Sequence, residues 1–454
     1  MTPPDPARPP VRLYEAADPA LLWPALLADH GQIAPVEIEP GAHGWLVLSW
    51  NLNRRVLTDT RAFARDPAWW RELHDGTIGP ASGLRALYGK RQSALFCDGA
   101  EHQRYRDALV AALGRLTRQQ AVRHIDEAAN RLIDAFCLHG KADLIAQYAR
   151  QLPLTVLCRL FGLAPDETVR VCAAMQTLWE AGPDAPAAKT RIEALLDGLA
   201  RRRRAAPGDD LASGLVSEGM TDDEVRDQLT LVIAAGDDPV THLIGNTLRM
   251  LLTAPGLRAS VAGSRTLIAE TINASLWADP PVQALIGRYP TADVELGGAR
   301  VRRGDCLVIG YAAAHLDLMA RTDPAVAQAN RAHLTWGAGP HTCPQIGRSL
   351  TLAIAETAVE QLMHRLPDLR LAVDAGLLRR RPSLSVHALT DLPVSFTPAA
   401  PSRMDRGDSI WNRPALAPSG STPPRGSTST PGRASSGRRG PWYGWLFPAW
   451  RSGR

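Results

Sequence analysis

The sequence of 454 residues contains only six cysteines, and no two of them form a C-x-x-C pair. This absence excludes the usual structural zinc spacings and a dense disulfide framework. A reducing cytoplasm is the compartment that fits best. The six positions are Cys97, Cys137, Cys158, Cys172, Cys306 and Cys343.

The sequence also lacks the signals of export and membrane insertion. The N-terminal stretch Met-Thr-Pro-Pro-Asp-Pro-Ala-Arg-Pro-Pro has neither a charged n-region nor an apolar h-region, so it predicts a flexible N-terminus at residues 1–10 and no signal peptide. No segment approaches the roughly 20 apolar residues that a membrane helix needs. The sequence therefore predicts a soluble protein of the cytoplasm.

Excess charge is confined to the C-terminal tail. The net charge is +5, but the nine arginines and two aspartates from Pro398 onward carry +7, which leaves −2 for the rest. A nearly neutral folded part gives no reason to expect nucleic-acid binding. Residues 398–454 are rich in Ser, Pro, Gly, Thr and Arg and predict a disordered tail. The end of the tail, residues 442–450, contains five aromatic residues. One hypothesis is that this segment contacts a partner or a membrane surface, and the other is that it has no function.

One motif stands out against these absences. Residues 336–343 read Trp-Gly-Ala-Gly-Pro-His-Thr-Cys and lead into a helical pattern at 346–366. Gly337 and Gly339 let the backbone approach a flat ligand closely, and the helix N-terminus favours negative charge on the sulfur of Cys343. An isolated cysteine is more often a small buried hydrophobe. A dinucleotide loop fits poorly, because its third glycine and the acidic residue after a following strand are missing.

The order aromatic-Gly-x-Gly-x-His-x-Cys resembles the haem-ligand loop of the cytochrome P450 superfamily. The resemblance implies that Cys343 is the fifth ligand of the iron of haem b (iron protoporphyrin IX). A thiolate in that position favours cleavage of the O–O bond, so it also implies two-electron oxygen chemistry.

The order of predicted elements supports the same resemblance over residues 11–397. Apolar alternation around Pro40-Gly41 and Gly297-Gly298 predicts hairpins, a short helix is predicted at 55–63, and 369–397 reads as short strands. The resemblance implies a mainly α fold with small β-sheets, in which haem lies between a long central helix and the helix after the cysteine loop. Spacing near 3.6 predicts helices at 101–113, 119–139, 144–163, 165–181, 187–204 and 267–277.

Four further residues match the positions that bind the two haem propionates in this superfamily. His102 and Arg106 are four residues apart on one helix face and match His-x-x-x-Arg. Arg288 precedes a hairpin, and His341 lies two residues before the cysteine. Each alone is typical of a surface salt bridge, but together they match the propionate set.

The central helix departs from the family pattern Ala-Gly-x-Asp/Glu-Thr. A capping box at 221–224 opens this helix, which is predicted to end near 255 with an interruption at 236–239. Asp238 keeps the acid that relays protons through water and is the predicted catalytic residue. Pro239 replaces the threonine and predicts a larger kink, since proline has no N–H and clashes with the preceding turn. Thr241 is expected to point elsewhere.

Two more departures concern the family's Glu-x-x-Arg pair and its Cys-x-Gly. Counting back from Pro281, the pair falls on Ala274 and Trp277, and an alternative alignment beginning at Glu270 also lacks the arginine. The loop at 323–333 has no clear partner arginine. Loss of a buried charge network can be neutral for stability. Gly347 lies two residues later than the family glycine, which predicts shifted packing of the helix on haem.

The leading hypothesis is a monooxygenase that inserts one oxygen atom from O2 into a small apolar organic substrate, with electrons from a ferredoxin and its reductase. Two alternatives stay open. One is a haem-binding regulatory or interaction protein with little turnover, which Pro239 and the tail favour. The other is a haem-thiolate enzyme that uses peroxide directly.

Overall fold

A computed structural model describes residues 9–15, 19–80, 82–180, 184–264, 266–323, 330–381, 383 and 385–402. The predictions for residues 1–8 and for the tail beyond 402 lie outside the described residues. None of the described helices is both long enough and apolar enough to cross a membrane.

Helices form most of the described chain. The first half contains α1 (Pro19–His30), α2 (Trp50–Thr58), α3 (Arg71–His74), α4 (Gly83–Tyr88), α5 (Gly99–Gly114), α6 (Arg118–Asp134), α7 (Leu152–Phe161), α8 (Pro165–Glu180) and α9 (Ala185–Ala205). The second half contains α10 (Leu211–Ser217), α11 (Asp222–Gly236), α12 (Asp238–Thr253), α13 (Pro255–Ala262), α14 (Ile268–Ala278), α15 (Tyr311–Met319) and α16 (Gln345–Arg365).

The strands form small sheets. They are β1 (Val11–Arg12), β2 (Ile33–Glu39), β3 (Ala42–Val47), β4 (Phe63–Ala64), β5 (Lys141–Asp143), β6 (Ala284–Pro290), β7 (Val294–Leu296), β8 (Ala299–Val301), β9 (Cys306–Gly310), β10 (Arg370–Leu371) and β11 (Pro393–Ser395). One sheet has the order β1-β2-β3-β9-β6-β4, a second has β10-β11-β5, and β7 pairs with β8. Both predicted hairpins form, as the antiparallel pairs β2–β3 and β7–β8. The parallel pairing of β3 with β9 joins residues about 260 positions apart, and no local pattern predicts it.

Several predicted helices have different bounds. The helix expected at 55–63 is α2, which begins earlier, after Ser49, and ends at Thr58. The segment expected as one helix at 144–163 is a π-helical turn, Ile145–Ala149, followed by α7, and Pro153 occupies the first turn of α7. Proline is tolerated there because that N–H has no intrahelical partner, so it favours a new start over a continuous helix. The helices α1 and α15 had no clear signal in the sequence.

The central helix is divided as the sequence predicts. The Thr221–Glu224 capping box opens α11, with reciprocal bonds between each side chain and the other residue's backbone N–H. Asp237 separates α11 from α12, and Pro239 lies in the first turn of α12. The Ala235 carbonyl loses its i+4 donor, because proline has no N–H.

The apolar core places α12 and α16 in contact. One buried cluster joins side chains of α6, α7, α12, α14 and α16, and a second joins α5 with α7 through α11. The cysteine loop at the start of α16 is therefore supported by packed helices.

Candidate functional site

The loop before α16 has a fixed backbone shape. Gly337 and Gly339 both have φ of +70°, in the left-handed region that favours glycine. A Cβ on Gly339 would lie 2.4 Å from the Leu57 carbonyl oxygen, so no side chain fits there. The Cys343 amide closes the loop by donating to the Trp336 carbonyl at 2.8 Å.

The sulfur of Cys343 lies at the end of this loop, against the first turn of α16. The residue is half-buried, and a Cβ added to Gly347 would lie 3.3 Å from its Sγ. Gly347 therefore leaves space beside the sulfur, although it comes two residues later than the family glycine. Burial raises the pKa of the Cys343 thiol, while Arg348 and Arg106 lower it. Burial therefore favours the neutral thiol, and a positive charge close to the sulfur favours the thiolate.

Three of the four predicted propionate residues form a buried cluster. The rings of His102 and His341 lie 4.1 Å apart between centroids. Arg288 is 4% exposed and acts electrostatically on both histidines. Burial is the main cause that lowers the pKa of Arg288 to about 10 and that of His341 to about 2. Arg106, on the same helix as His102, is half-buried and interacts electrostatically with Cys343.

One carboxylate lies near this cluster, since Asp98 Oδ1 is 3.8 Å from His341 Nε2, but several polar atoms of the cluster have no partner. The Nε2 atom of His102, the Nη1 atom of Arg288 and the Nδ1 atom of His341 are buried without a hydrogen-bond partner. Among the described residues, no carboxylate forms an ion pair with Arg288 or Arg106. Buried donors and cations without partners are costly. Two carboxylate groups of a ligand would accept from Arg288 and His102, so these donors fit the two propionates of haem b. His341 already donates from Nε2 to the Cys97 carbonyl, so its Nδ1 can donate to an anion only when the ring is protonated.

Arg65 is a further cation of this cluster that the sequence did not reveal. Its Nη1 atom donates to the Ile286 carbonyl at 2.6 Å and to the Gly287 carbonyl, whereas Nη2 is buried without a partner. A Cβ on Gly287 would lie 2.1 Å from Nη1, so the absent side chain makes room for the guanidinium. Arg65 also lowers the pKa of Arg288 and His341. The only local signal is a glycine directly before Arg288.

Asp238 is held by a buried hydrogen bond to His242, whose pKa is lowered by burial, and by the nearby charge of Arg381. Its Oδ1 lies 2.9 Å from His242 Nε2, and its Oδ2 lies 3.6 Å from Arg381. Burial alone would raise the pKa of Asp238, but His242 and Arg381 outweigh it and lower the pKa. The hydroxyl of Thr241 donates to the Ala149 carbonyl at 3.1 Å, so it points elsewhere, as expected.

Asp237, at the break between the two helices, has the opposite character. It is 1% exposed, and both of its carboxylate oxygens lack a hydrogen-bond partner. Burial, with the nearby charge of Asp238, raises its pKa well above the usual value. Burial therefore favours the protonated form of Asp237, whereas the partners of Asp238 favour its ionised form.

Similarity to known proteins agrees with this geometry. No family model matches the chain. The chain is 30% identical over 397 residues to the cytochrome P450 monooxygenase PikC of Streptomyces venezuelae. The aligned region covers 84% of this chain and 92% of that protein. The chain belongs to the cytochrome P450 superfamily. It is also 27% identical over 387 residues to 2-hydroxy-5-methyl-1-naphthoate 7-hydroxylase of Streptomyces carzinostaticus, covering 82% of this chain and 93% of that one.

Solved structures show that the fold is the P450 fold. CYP154C4 from Streptomyces sp. W2061 matches with a TM-score of 0.77 and 28% identity, covering 87% of this chain and 99% of that one. The prediction of a mainly α fold with small sheets is confirmed. As a P450 of the monooxygenase type, the protein binds haem b.

An aromatic cluster occupies the place of the Glu-x-x-Arg pair in this P450. Trp277, 2% exposed, stacks on Trp50 with ring centroids 5.9 Å apart. Its ring also lies 4.9 Å from that of His315 and 5.7 Å from that of His333. The Trp277 indole N–H donates to the Asn330 carbonyl at 2.7 Å. Uncharged packing therefore holds α14 to the segment that leads into the cysteine loop.

The alternative alignment beginning at Glu270 needs a correction. The loop at 323–333 does contain a partner arginine, because Arg331 forms an ion pair with Glu270. Both side chains are about half exposed, so this pair contributes little to stability. The pair is at the surface because Glu270 lies in the first turn of α14, two turns before Trp277.

A different buried ion network lies at the end of α14. Asp279 accepts from Arg249 at 3.0 Å and from Arg380 at 2.7 Å, and its other oxygen lies 2.5 Å from His387 Nδ1. Burial would raise the pKa of Asp279, but these partners lower it. This network ties α12 and α14 to the C-terminal segment, and no local pattern in the sequence indicates it.

The two buried histidines of the aromatic cluster make stability depend on pH. Burial lowers the pKa of His315 to about 3 and that of His333 to about 4. Below the unfolded value of 6.5 the unfolded chain binds protons that the folded chain does not, so stability falls with pH from about 6.5 toward 4. Each histidine costs up to about 1.4 kcal/mol per pH unit in that window.

Denaturant unfolding of the holoprotein from pH 7 to pH 5 tests this expectation. His315→Gln keeps an acceptor for the Leu334 amide. It removes about one of the protons taken up on unfolding, so the free energy of unfolding should depend less steeply on pH. His364→Gln, at an exposed position of α16, is the matched control and leaves the slope unchanged. Equal slopes in the wild type and the His315 variant would contradict the assignment.

Proposed function

We propose that this P450 inserts one oxygen atom from O2 into a small apolar organic substrate, with electrons from a cytoplasmic ferredoxin and its reductase. The observation that carries the proposal is the convergence of the Cys343 loop with cationic side chains that lack anionic partners. The naphthoate 7-hydroxylase to which the chain is similar supports a hydroxylation reaction and a substrate with apolar rings.

In this proposal each site residue has one role. Cys343 binds the haem iron through its sulfur, because it ends the glycine loop against the first turn of α16. The propionates are bound by His102, Arg106, Arg288 and His341. His102 and Arg288 have buried nitrogen atoms without a partner, and Arg106 adds a half-buried positive charge. Bound there, haem b supplies two-electron activation of dioxygen.

Asp238 is proposed to move protons toward the site. Its Oδ1 is paired with His242, and its Oδ2 is buried with no donor within hydrogen-bond distance. That oxygen can hold a water molecule or a proton at the start of α12, next to the carbonyl that Pro239 leaves without a donor. His242 and Arg381 keep Asp238 ionised, so it acts as the acceptor of a relayed proton.

Direct use of peroxide is the second candidate, and the region around Pro239 favours it. Pro239 offers no hydroxyl, and the Thr241 hydroxyl is bonded to Ala149. Asp238 would therefore move protons at this break without the help of a neighbouring hydroxyl. Peroxide arrives with both protons and both electrons, so it needs less help from this helix.

The two candidates are separated by comparing electron sources. Apolar bicyclic aromatic compounds are screened for the spectral shift that substrates cause, and the tightest binder is assayed with reduced ferredoxin and, separately, with hydrogen peroxide. We expect the wild-type protein to form product with reduced ferredoxin. The Pro239→Thr variant should convert a roughly tenfold larger fraction of the consumed electrons into product than wild type does, because a positioned proton donor contributes at least that much.

The outcomes decide between the functions. Product with peroxide alone, in both wild type and Pro239→Thr, would support the peroxide enzyme. Haem bound with a thiolate spectrum but no product from either source would favour the regulatory or interaction protein. Either result would contradict the ferredoxin-dependent monooxygenase.

A further inference from the structure

Arg348, in the first turn of α16, is bonded directly to the loop that carries Cys343. Its Nε atom donates to the Cys343 carbonyl at 3.0 Å. Its Nη2 atom donates to the Thr342 hydroxyl oxygen at 2.5 Å. The side chain therefore turns back over the first turn of α16 and forms hydrogen bonds with two successive residues of the loop.

These two bonds connect to the other end of the loop. The Thr342 hydroxyl donates to the Trp336 carbonyl at 3.1 Å, and the Cys343 amide donates to the same carbonyl at 2.8 Å. The guanidinium thus closes a ring of hydrogen bonds from Arg348 through Thr342 to Trp336 and back through Cys343. A planar fork with donors in fixed directions suits this geometry, and lysine cannot reproduce it.

The positive charge of Arg348 has no carboxylate beside it. Among the described residues, no aspartate or glutamate forms an ion pair with its half-buried guanidinium. All of its resolved hydrogen bonds go to neutral oxygens of the cysteine loop. The Cys343 sulfur can carry the opposite charge, and Arg348, bonded to the carbonyl of the same residue, interacts electrostatically with it. A cation that lacks a counter-charge in a half-buried site acts strongly on such a neighbour.

We propose that Arg348 is a positioning residue of the haem-thiolate site, which fixes the Cys343 loop and stabilises the anionic sulfur by its charge. This inference rests on the proposed ligation by Cys343. A cation beside the ligand withdraws electron density from it and makes the haem iron easier to reduce, as outer partners of metal ligands do elsewhere. Arg348 would then hold the loop in a P450 that lacks the arginine of the usual buried network.

The test compares three variants of the full-length haem-loaded protein. Arg348→Gln removes the charge and is expected to lower the equilibrium constant for reduction of the iron about tenfold, about 59 mV for one electron. Arg348→Lys keeps the charge and is expected to stay within about threefold of wild type. The single ammonium group of lysine cannot make both hydrogen bonds of the guanidinium. A larger fraction of this variant than of wild type should therefore lack the thiolate band after reduction and addition of carbon monoxide. Ser349→Ala, the exposed neighbour, is the matched control and should match wild type in both measurements.

Each outcome has one meaning. A reduction potential of Arg348→Gln equal to that of Ser349→Ala would overturn the charge role. If Arg348→Gln fails to bind haem, Arg348→Lys decides, since a potential near the wild-type value supports the proposal and a tenfold drop overturns it. A wild-type protein without a thiolate band would instead contradict ligation by Cys343, which is the proposed function and not this inference.

Discussion

A Trp277→Ala variant is expected to lose about 3–5 kcal/mol of the free energy of unfolding, the usual cost of deleting a buried aromatic side chain. The indole is almost fully buried and stacks on Trp50. Its removal also leaves the Asn330 carbonyl without its donor. Because this cluster stands where other P450s have a charged pair, the variant tests whether packing has taken over that structural role. Denaturant unfolding of the holoprotein gives the measurement.

Two further variants separate packing from charge. Trp277→Phe keeps the stacked ring but loses the N–H, so it is expected to cost only about 1–2 kcal/mol. Trp277→Arg restores half of the family pair and places an unpartnered charge against His315 and His333, which is expected to cost about as much as the alanine variant. A loss below about 1 kcal/mol for Trp277→Ala would show that the cluster does not support the fold.

A Cys343→Ser variant is expected to keep the fold and lose tight haem binding. Changing an outer partner of a metal ligand typically costs about 10–100-fold in affinity, so loss of the ligand itself should cost at least that much. Some haem should remain, since the propionate donors of His102, Arg288 and His341 are unchanged. The rate at which haem transfers to a competing apoprotein gives the measurement, with the spectrum of the bound fraction recorded alongside.

Cys97→Ser is the matched control for this variant. Cys97 is fully buried and donates to the Ser93 carbonyl at 3.3 Å, and its own carbonyl accepts from His341. Serine keeps these bonds, so haem transfer from this variant should match wild type. Faster haem transfer from the Cys97→Ser variant than from the Cys343→Ser variant would contradict the assignment of Cys343 as the iron ligand.

The sequence was most informative where chemistry constrains local spacing. The glycines at 337 and 339, the capping box at Thr221 and the break before Pro239 are each read from a few adjacent residues, and the structure has them as expected. The propionate residues are far apart in the chain. Only the family resemblance predicted that they meet, and the structure brings His102, Arg288 and His341 together.

The features that the sequence did not reveal depend on distant packing. Arg65 joins the cation cluster only because β4 pairs with β6, the strand that contains Arg288. The network around Asp279 joins three separate segments of the chain. The aromatic cluster at Trp277 could be anticipated only as a missing charge, since its partners come from α2, α15 and the loop before the cysteine. Long-range contacts of this kind leave no periodic signal in one sequence.

The central claim is that Cys343 binds the haem iron through a thiolate. The most direct measurement is the difference spectrum of the dithionite-reduced, full-length protein with and without carbon monoxide. Ligation by the Cys343 thiolate predicts a band at about 450 nm in this spectrum. A wild-type protein that binds haem stoichiometrically and shows no such band would contradict ligation by the thiolate.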